Sequence, residues 1–256
     1  MPVIHSDLPA LVLDSYDYGE SDKIVVFFCQ DVGRISALAR GAHRSKKRFV
    51  NKLEIFTFLQ ITYSKSRAGS LFMLDEAELV NSFISLRTDL TSYRVASIIR
   101  EYMLLTTRET SDDDQLFQLA LWALHSLNTG IDQKQVLALF MIKLFDVLGY
   151  RPDFSVCQSC GTRPAGHEEV LFNVQGGTMI CKKCSAGHDQ GRRLLAAGTT
   201  MMISAVQQQP VFRLNRFKPS GTVLEQILDC SYNYSRHLFQ RDIHSWKALD
   251  SRKNLL

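Results

Sequence analysis

No apolar run in this 256-residue sequence approaches the roughly 20 residues that a membrane-spanning helix requires. The first residues lack the pattern of a secretory signal, and no internal repeat or low-complexity linker occurs. The common enzyme motifs are also missing, among them phosphate-binding glycine loops, dinucleotide fingerprints, zinc-protease helices and serine-nucleophile elbows. We therefore expect a cytoplasmic protein that is not an enzyme, with neither a membrane partner nor a small-molecule substrate.

Acidic residues are scarce in one part of the chain. Between residues 34 and 67, nine Lys and Arg side chains occur with a single acid, Glu54, although residues 1–80 balance ten basic against ten acidic groups. Residues 151–256 carry fourteen basic and eight acidic groups, a net charge of +6 within a chain total of +4. A positive segment in an otherwise neutral domain predicts a directed electrostatic surface.

Cysteine is rare outside two short motifs. Four of the six cysteines form two Cys-x-x-Cys pairs, Cys157 with Cys160 and Cys181 with Cys184. Two such pairs converge on one ion and complete a tetrahedron at about 2.3 Å per Zn–S bond. The spacing therefore predicts a structural site for one Zn²⁺ ion, carried by a hairpin of strands 171–174 and 178–181. The other two cysteines, Cys29 and Cys230, lie in apolar segments and are expected to be buried thiols.

Other interpretations of the cysteine pairs remain open from the residues alone. Two disulfides would need an oxidising compartment, and a redox Cys-x-x-Cys normally stands alone at the start of a helix. A catalytic zinc keeps one coordination position open, whereas four cysteines fill all four. A metal-free or oxidised relic of the site is a further alternative. His167 and His188 are near enough in sequence to replace a cysteine ligand.

The first eighty residues predict five strands and no long helix. Alternating apolar and β-branched residues place the strands at 10–18, 23–30, 34–39, 53–64 and 70–80. Five short strands within this length favour a small closed barrel such as an OB-fold. We expect residues 1–80 to form an OB-fold nucleic-acid-binding domain, although a fold alone does not establish a function.

From about Asp89 the apolar period changes from two residues to 3.6, which predicts helices. The predicted helices cover residues 89–105, 111–127, 132–148, 199–209 and 220–240. The third is apolar on nearly every side and is expected at the centre of a core. The acidic run 112–114 suits a helix N-terminus better than a metal site, because negative charge there complements the helix dipole.

The predicted fold class is an α+β multidomain protein, in which an N-terminal five-stranded OB-fold β-barrel precedes an α-helical domain with a four-cysteine zinc ribbon. The helical domain is divided into residues 81–150 and 191–250. The zinc-binding insert, residues 151–190, lies between these parts, and residues 251–256 form a tail.

The connection between the third and fourth predicted strands concentrates positive charge. Its five basic residues are Arg40, Arg44, Lys46, Lys47 and Arg48. Arg34 comes shortly before them and Lys52 shortly after. Such side chains neutralise phosphates and release counterions, whereas the alternative is a solvated loop kept basic for solubility. Phe49, Tyr63 or Phe72 could stack on bases, but a core position is the expectation for any single one.

A second mixed stretch, residues 212–218, alternates basic and apolar residues. A second phosphate contact, a groove for a partner peptide and an ordinary packed connection are equally compatible with it.

Several short motifs occur in an order and spacing that are specific together. They are Ala10–Leu13, Gly19–Asp22, Gly33-Arg34 with Ala39–Ala42, Gly149–Pro152 leading into Cys157–Gly161, and Gly176-Gly177 with Cys181–Cys184. On these motifs, nearly the whole chain resembles the RecO family of bacterial DNA repair and recombination mediators.

The resemblance implies an N-terminal OB-fold, a helical C-terminal domain and a zinc-binding insert in a nucleoid-associated bacterial protein. It implies binding to single- and double-stranded DNA and annealing of complementary strands. With RecR, and in some pathways RecF, such proteins help to load RecA onto DNA coated by single-strand-binding protein, whose C-terminal tail contacts the helical domain. The resemblance assigns DNA binding to Arg34, Arg40, Arg44, Lys46, Lys47 and Arg48, and zinc to Cys157, Cys160, Cys181 and Cys184.

Two other classes of function stay open. The zinc ribbon and helices could belong to a protein-interaction adaptor that binds an acidic partner without contacting nucleic acid. An RNA-binding barrel would differ in its preference for ribose 2′-hydroxyls.

Overall fold

The computed structural model describes residues 4–65, 71–109, 113–165, 168–185 and 192–249. The chain divides into two units, Met1–Asn128 and Thr129–Leu256. Within the described ranges, no helix is both long and apolar enough to cross a membrane. The predicted tail, 251–256, lies outside these ranges.

The first unit contains a closed barrel. Its strands are β1 (Ile4–Tyr18), β2 (Asp22–Cys29), β3 (Gly33–Ala39), β4 (Phe58–Lys65) and β5 (Phe72–Asn81). The strand order is β1-β2-β3-β5-β4, and β1 closes the barrel by pairing with β4. Only the β3–β5 pair is parallel among these neighbours. The predicted five-stranded OB-like barrel is confirmed.

Two strand boundaries differ from the prediction by more than two residues. β1 begins at Ile4 rather than at residue 10, and the left-handed Asp7 (φ 54°) interrupts the alternation that would have revealed its first part. β4 begins at Phe58 rather than at residue 53, because the chain turns before it. In that turn Phe56 has a φ of 70°, and the amide of Thr57 donates to the carbonyl of Glu54 at 3.1 Å.

Among the described residues, three α-helices follow the barrel in the first unit. They are α1 (Ser85–Thr88), α2 (Leu90–Thr106) and α3 (Asp114–Asn128). Asp89 caps α2 by accepting the amides of Thr91 and Ser92, and α1 is a short turn that the periodicity did not indicate. Arg100 of α2 pairs with Asp14 of β1 at 2.5 Å, which fixes this helix against the barrel. Ser111 and Asp112 of the predicted cap lie outside the described residues.

The described part of the second unit combines a small sheet with three α-helices. The sheet contains β6 (Asp153–Cys157), β7 (Val170–Asn173), β8 (Thr178–Cys181) and β9 (Arg192–Leu195), in the order β6-β8-β7-β9. The helices are α4 (Gln133–Val147), α5 (Ala197–Gln207) and α6 (Gly221–Phe239). β7 and β8 form the predicted hairpin, whereas β6 and β9 were not predicted as strands.

Helix α4 is the centre of the second unit, as its apolar surface predicts. Every residue from 136 to 145 is buried, including Lys143. The Lys143 ammonium donates to the carboxylate of Asp146 at 2.5 Å and to the carbonyl of Gln207 at 3.2 Å. These partners compensate a charge that would otherwise be costly to remove from water.

Gly177 lies in the β7–β8 turn, where its backbone packs closely against the side chain of Tyr234 in α6. Its φ is +62°, and a Cβ there would lie 2.4 Å from the hydroxyl oxygen of Tyr234. We expect Gly177→Ala to lower the free energy of unfolding by about 2 kcal/mol or more, since strain and overlap add. Gly130→Ala is the matched control, because Gly130 has a φ of +82° and no atom within 4 Å of the added Cβ. Equal losses in urea unfolding of the two variants would contradict the steric explanation.

Candidate nucleic-acid interface and metal centre

The basic loop, defined here as residues 40–48 between β3 and β4, is anchored where it leaves the barrel. Gly41 adopts a left-handed φ of 66°, and its amide donates to the Asp22 carboxylate at 2.8 Å. The amide of His43 donates to the carbonyl of Ser21 at 3.0 Å. These bonds hold the start of the loop beside the β1–β2 turn.

The far end of the loop is anchored by the core. Phe49 and Leu53 are buried and belong to the same hydrophobic cluster as the barrel strands. The amide of Phe49 also donates to the hydroxyl of Ser45 at 2.9 Å. The loop is therefore a short bridge that is held at both ends.

Three cations lie exposed between these anchors. They are Arg44, Lys46 and Lys47. Within the ranges that the structure describes, no carboxylate forms an ion pair with any of them. An exposed, unneutralised group of cations on a constrained loop is suited to phosphate binding.

Arg48 and Arg40 have a different environment. The Arg48 guanidinium lies over the Phe49 ring at 4.4 Å and donates to the carbonyls of Arg40 at 2.8 Å and Asp75 at 3.3 Å. Arg48 thus braces the loop although it is exposed. Arg40 is exposed at the end of β3, next to the carboxylate of Asp22.

Arg34 lies apart from the loop, on β3. Its guanidinium donates to the carbonyl of Leu104 in α2 at 2.6 Å, and its amide donates to the carbonyl of Arg108 at 2.9 Å. Lys52 is similarly occupied, because its ammonium donates to the carbonyl of Ala77 at 2.7 Å. Both cations thus satisfy backbone carbonyls within the first unit.

Two acids sit at the base of the loop. The ammonium of Lys23, followed by the imidazole of His43, holds the pKa of Asp17 below its usual value. The amide of Gly41, followed by the hydroxyl of Ser21, lowers the pKa of Asp22. Both carboxylates are therefore ionised at neutral pH and are used to orient the loop.

The aromatic residues proposed from the sequence as base-stacking groups are engaged elsewhere. Phe49 and Tyr63 are buried in the barrel core, and Phe72 packs edge-on against Tyr63 with ring centres 5.1 Å apart. His5 stacks on Tyr63 at 4.8 Å. The expectation that these rings are core residues is confirmed for Phe49 and Tyr63, and Phe72 packs against the same core while only partly buried.

Two exposed tyrosines near the end of β1, Tyr16 and Tyr18, were not predicted as site residues. The sequence signal that could have identified them is their spacing of two residues just before Gly19. Alternate residues of a strand lie on the same face, so this spacing predicts two rings side by side.

The four predicted zinc ligands converge in the second unit. The sulfur atoms of Cys157, Cys160, Cys181 and Cys184 all lie within 4.8 Å of one another. The Cys160 and Cys181 sulfurs are 3.8 Å apart, which matches the separation of about 3.8 Å expected for a tetrahedron with Zn–S bonds of about 2.3 Å. The cluster can hold one metal ion.

The sheet brings the two knuckles together because β6 and β8 are neighbours in it. Cys157 ends β6 and Cys181 ends β8, so each first cysteine is fixed by a strand. Cys160 lies in a turn in which the amide of Gly161 donates to the carbonyl of Cys157 at 2.8 Å. A 3₁₀ turn over Lys182–Cys184 returns the last cysteine to the cluster.

Hydrogen bonds within the cluster shift the pKa values of its thiols in opposite directions. Burial raises the pKa of Cys157, but amides, including that of Cys181 at 3.3 Å from its sulfur, lower it to about 6. Hydrogen bonds with Cys160 and Cys181 raise the pKa of Cys184 to about 12. A metal ion bound here would deprotonate the four thiols and offset the repulsion between the resulting thiolates.

All six cysteines are free thiols, so the structure contains no disulfide between them. Cys29 and Cys230 are buried as predicted, and burial raises the pKa of both. His167 and His188, the alternative ligands, lie outside the described residues.

The mixed stretch 212–218 is partly a packed connection. Val211–Arg216 forms a 3₁₀ helix in which Leu214 is fully buried. Phe212 is 76% exposed, and the Arg213 guanidinium lies 5.6 Å from its ring centre.

Comparison with known families covers almost the entire chain. The family model "Recombination protein O N terminal" matches residues 4–83, and "Recombination protein O C terminal" matches residues 87–247.

Among curated proteins, the chain is similar to several that are each named DNA repair protein RecO. The protein from Desulfitobacterium hafniense is 29% identical over 248 residues, covering 96% of this chain and 89% of that protein. The protein from Syntrophobacter fumaroxidans is 28% identical over 241 residues, with 94% and 95% covered. That from Anaeromyxobacter sp. is 32% identical over 200 residues, with 78% of each covered. The chain belongs to the recombination protein O (RecO) family.

Proposed function

We propose that this protein binds single- and double-stranded DNA without reading sequence, as a mediator of DNA repair and homologous recombination. Membership of the RecO family supports a role in DNA repair and recombination. The structural observation that carries the DNA-binding proposal is the group of exposed cations on an anchored loop of an OB-like barrel, which form no ion pair with the described carboxylates. Barrels of this type bind oligonucleotides on their strands and loops.

The interface comprises Arg40, Arg44, Lys46 and Lys47, with Arg48 and Arg34 in supporting positions. Cations neutralise the phosphate backbone of any sequence, so affinity is expected without base specificity. Binding two complementary strands on one protein raises their effective concentration and screens their repulsion. Strand annealing would follow without a catalytic residue, and we propose that the protein is not an enzyme.

The same proposal includes the partners implied by the family resemblance. The protein would act with RecR to assist the loading of RecA on DNA covered by single-strand-binding protein, whose acidic tail it would bind. RecF would take part in some pathways, and the protein would be associated with the nucleoid. The positive balance of residues 151–256 supports an acidic partner for the second unit.

We propose zinc as the metal of the four-cysteine centre, in a structural role. Cys157, Cys160, Cys181 and Cys184 would complete a tetrahedral sulfur set, which is the typical arrangement of structural zinc. The ion would hold β6 beside β8 and leave no position for a substrate.

The first test is a fluorescence-polarisation titration of a labelled mixed-sequence oligonucleotide, single-stranded and then duplex, over a salt series. We expect binding to both forms, little dependence on sequence, and a steep linear fall of log K with log salt concentration. Binding to an acidic peptide together with no oligonucleotide binding at low salt would instead identify an adaptor. A preference for RNA over DNA of the same sequence would identify an RNA-binding barrel.

A further inference from the structure

The outer surface of the barrel carries a row of apolar and aromatic side chains that crosses four strands. Tyr16 is paired with Ile24, Ile24 with Leu38, and Leu38 with Met73. Directly opposed residues project from the same face of a sheet. Val25, which follows Ile24, is in the barrel core, so the row itself lies on the outer face.

Tyr16 and Tyr18 form the exposed end of this row. They are two residues apart on β1, and their side chains are 54% and 53% exposed. The Tyr16 hydroxyl donates to the carboxylate of Asp14 at 2.6 Å, which holds the ring against its strand. In the described part of the chain no aromatic ring stacks on either tyrosine, in contrast to Tyr63.

The start of the basic loop lies next to the tyrosine pair. Tyr18 is paired with Asp22, whose carboxylate accepts the amide of Gly41 at the start of the basic loop. Arg40 directly follows β3, two residues after Leu38 of the row, and its side chain is exposed. Aromatic rings therefore lie beside a cationic loop, which is the combination that binds single-stranded nucleic acid.

We infer that Tyr16 and Tyr18 stack on unpaired bases of a single strand while the cations of the basic loop bind its phosphates. This inference rests on the proposed function and extends it, because it assigns the groups that contact the bases. It also predicts how the two forms of DNA are distinguished: the tyrosines contribute to binding of single strands only, whereas the cations contribute to both.

The geometry explains this selectivity. Two residues along a strand are about 6.7 Å apart. Successive bases in a duplex strand are separated by only about 3.4 Å, and each base face is covered by its neighbours. Only a strand with separated, unpaired bases can present one face to each ring, and every base has such a face, so no sequence preference is needed.

The test compares the affinities of the wild-type protein and of the double variant Tyr16→Ala/Tyr18→Ala for a single strand and for a blunt duplex. We expect the variant to lose about 30-fold in single-strand affinity, since each stacked ring contributes a factor of about five or more. Duplex affinity should be unchanged. Tyr16→Phe/Tyr18→Phe keeps both rings and should retain wild-type affinity for both ligands.

An abasic single strand of equal length separates stacking from charge. The wild-type protein should bind it as weakly as the alanine variant binds the normal strand, and the variant should not distinguish the two strands. Tyr150→Ala, which removes a 51% exposed tyrosine from the second unit, is the matched control and should have no effect. Thermal unfolding checks the fold, and Tyr16→Leu/Tyr18→Leu replaces the alanine variant if that variant is unstable.

The outcomes separate this inference from the proposed function. Equal losses on single strand and duplex, or full single-strand affinity in the alanine and leucine variants, would overturn the stacking role while leaving DNA binding by the loop intact. If the wild-type protein bound neither DNA form, the proposed function itself would fail.

Discussion

Replacing Arg44, Lys46 and Lys47 with alanine is expected to lower single-strand affinity about 100-fold at 0.1 M salt. Each phosphate contact contributes about 0.7 to the slope of log K against log salt for single strands, so the slope should become shallower by about 2. Duplex binding should weaken as well, because these cations do not depend on exposed bases. Fluorescence polarisation over a salt series measures both quantities.

The control removes the same charge from the other unit. Lys134, Arg241 and Lys247 are exposed cations there, and their alanine variant changes the net charge equally. We expect this control to keep the wild-type slope. Equal slopes for both triple variants would show that overall charge, not the basic loop, governs binding. Arg34→Ala is a useful addition, because the bond from Arg34 to Leu104 predicts reduced stability with little change in slope.

Removing the proposed zinc is expected to unfold the β6–β9 sheet while oligonucleotide binding by the barrel persists. A four-thiolate site contributes about 10 kcal/mol or more of metal-binding free energy in small zinc domains, and that energy stabilises the fold. Chelation should release one zinc ion per chain and make four additional thiols reactive, since Cys29 and Cys230 are buried in the two units.

Cys181→Ser should abolish stoichiometric metal binding, whereas Cys230→Ala, at a cysteine outside the cluster, should leave it intact. Metal content is measured by elemental analysis, and Co²⁺ substitution should give the visible absorption of a tetrahedral thiolate site. Wild-type protein that binds no metal but keeps its β6–β9 sheet would refute the structural role. Loss of oligonucleotide binding in the Cys181→Ser protein would instead show that the ribbon supports the barrel's activity.

Features with a strong local signal were predicted from the sequence. Alternation in 23–28 reports a half-buried strand, and the all-round apolar surface of 136–145 reports a central helix. The cysteine knuckles specify their own geometry, so Cys157 and Cys181 came together as expected.

Features that depend on distant partners were not predicted. The first part of β1 is a strand because it pairs with β4, and β9 is a strand because it pairs with β7. Neither segment has a marked period of its own. β4 was predicted to start too early because apolar residues of the preceding turn, such as Leu53 and Phe56, are buried in the core. Alternation alone does not distinguish such a turn from a strand.

In the candidate interface, too, the local sequence signal was predicted and the long-range contacts were not. Composition alone identified the basic loop, but only the structure shows that Arg48 braces it and that Arg34 bonds to α2. Exposure also decides which aromatic rings are accessible. Tyr63 is core and Tyr16 is not, although both alternate along strands.

The long first strand has a consequence for how the chain folds during synthesis. β1 and β2 can form a hairpin as soon as they are made, but β1 also needs β4, and Ala10 pairs with Leu59. The barrel therefore cannot close until β4, and β5 that lies between β3 and β4, have been translated. Closure across this separation costs loop entropy before any contact compensates it. Until β4 is made, β1 has an unpaired edge. We therefore expect nascent chains that end before β4 to be the aggregation-prone species.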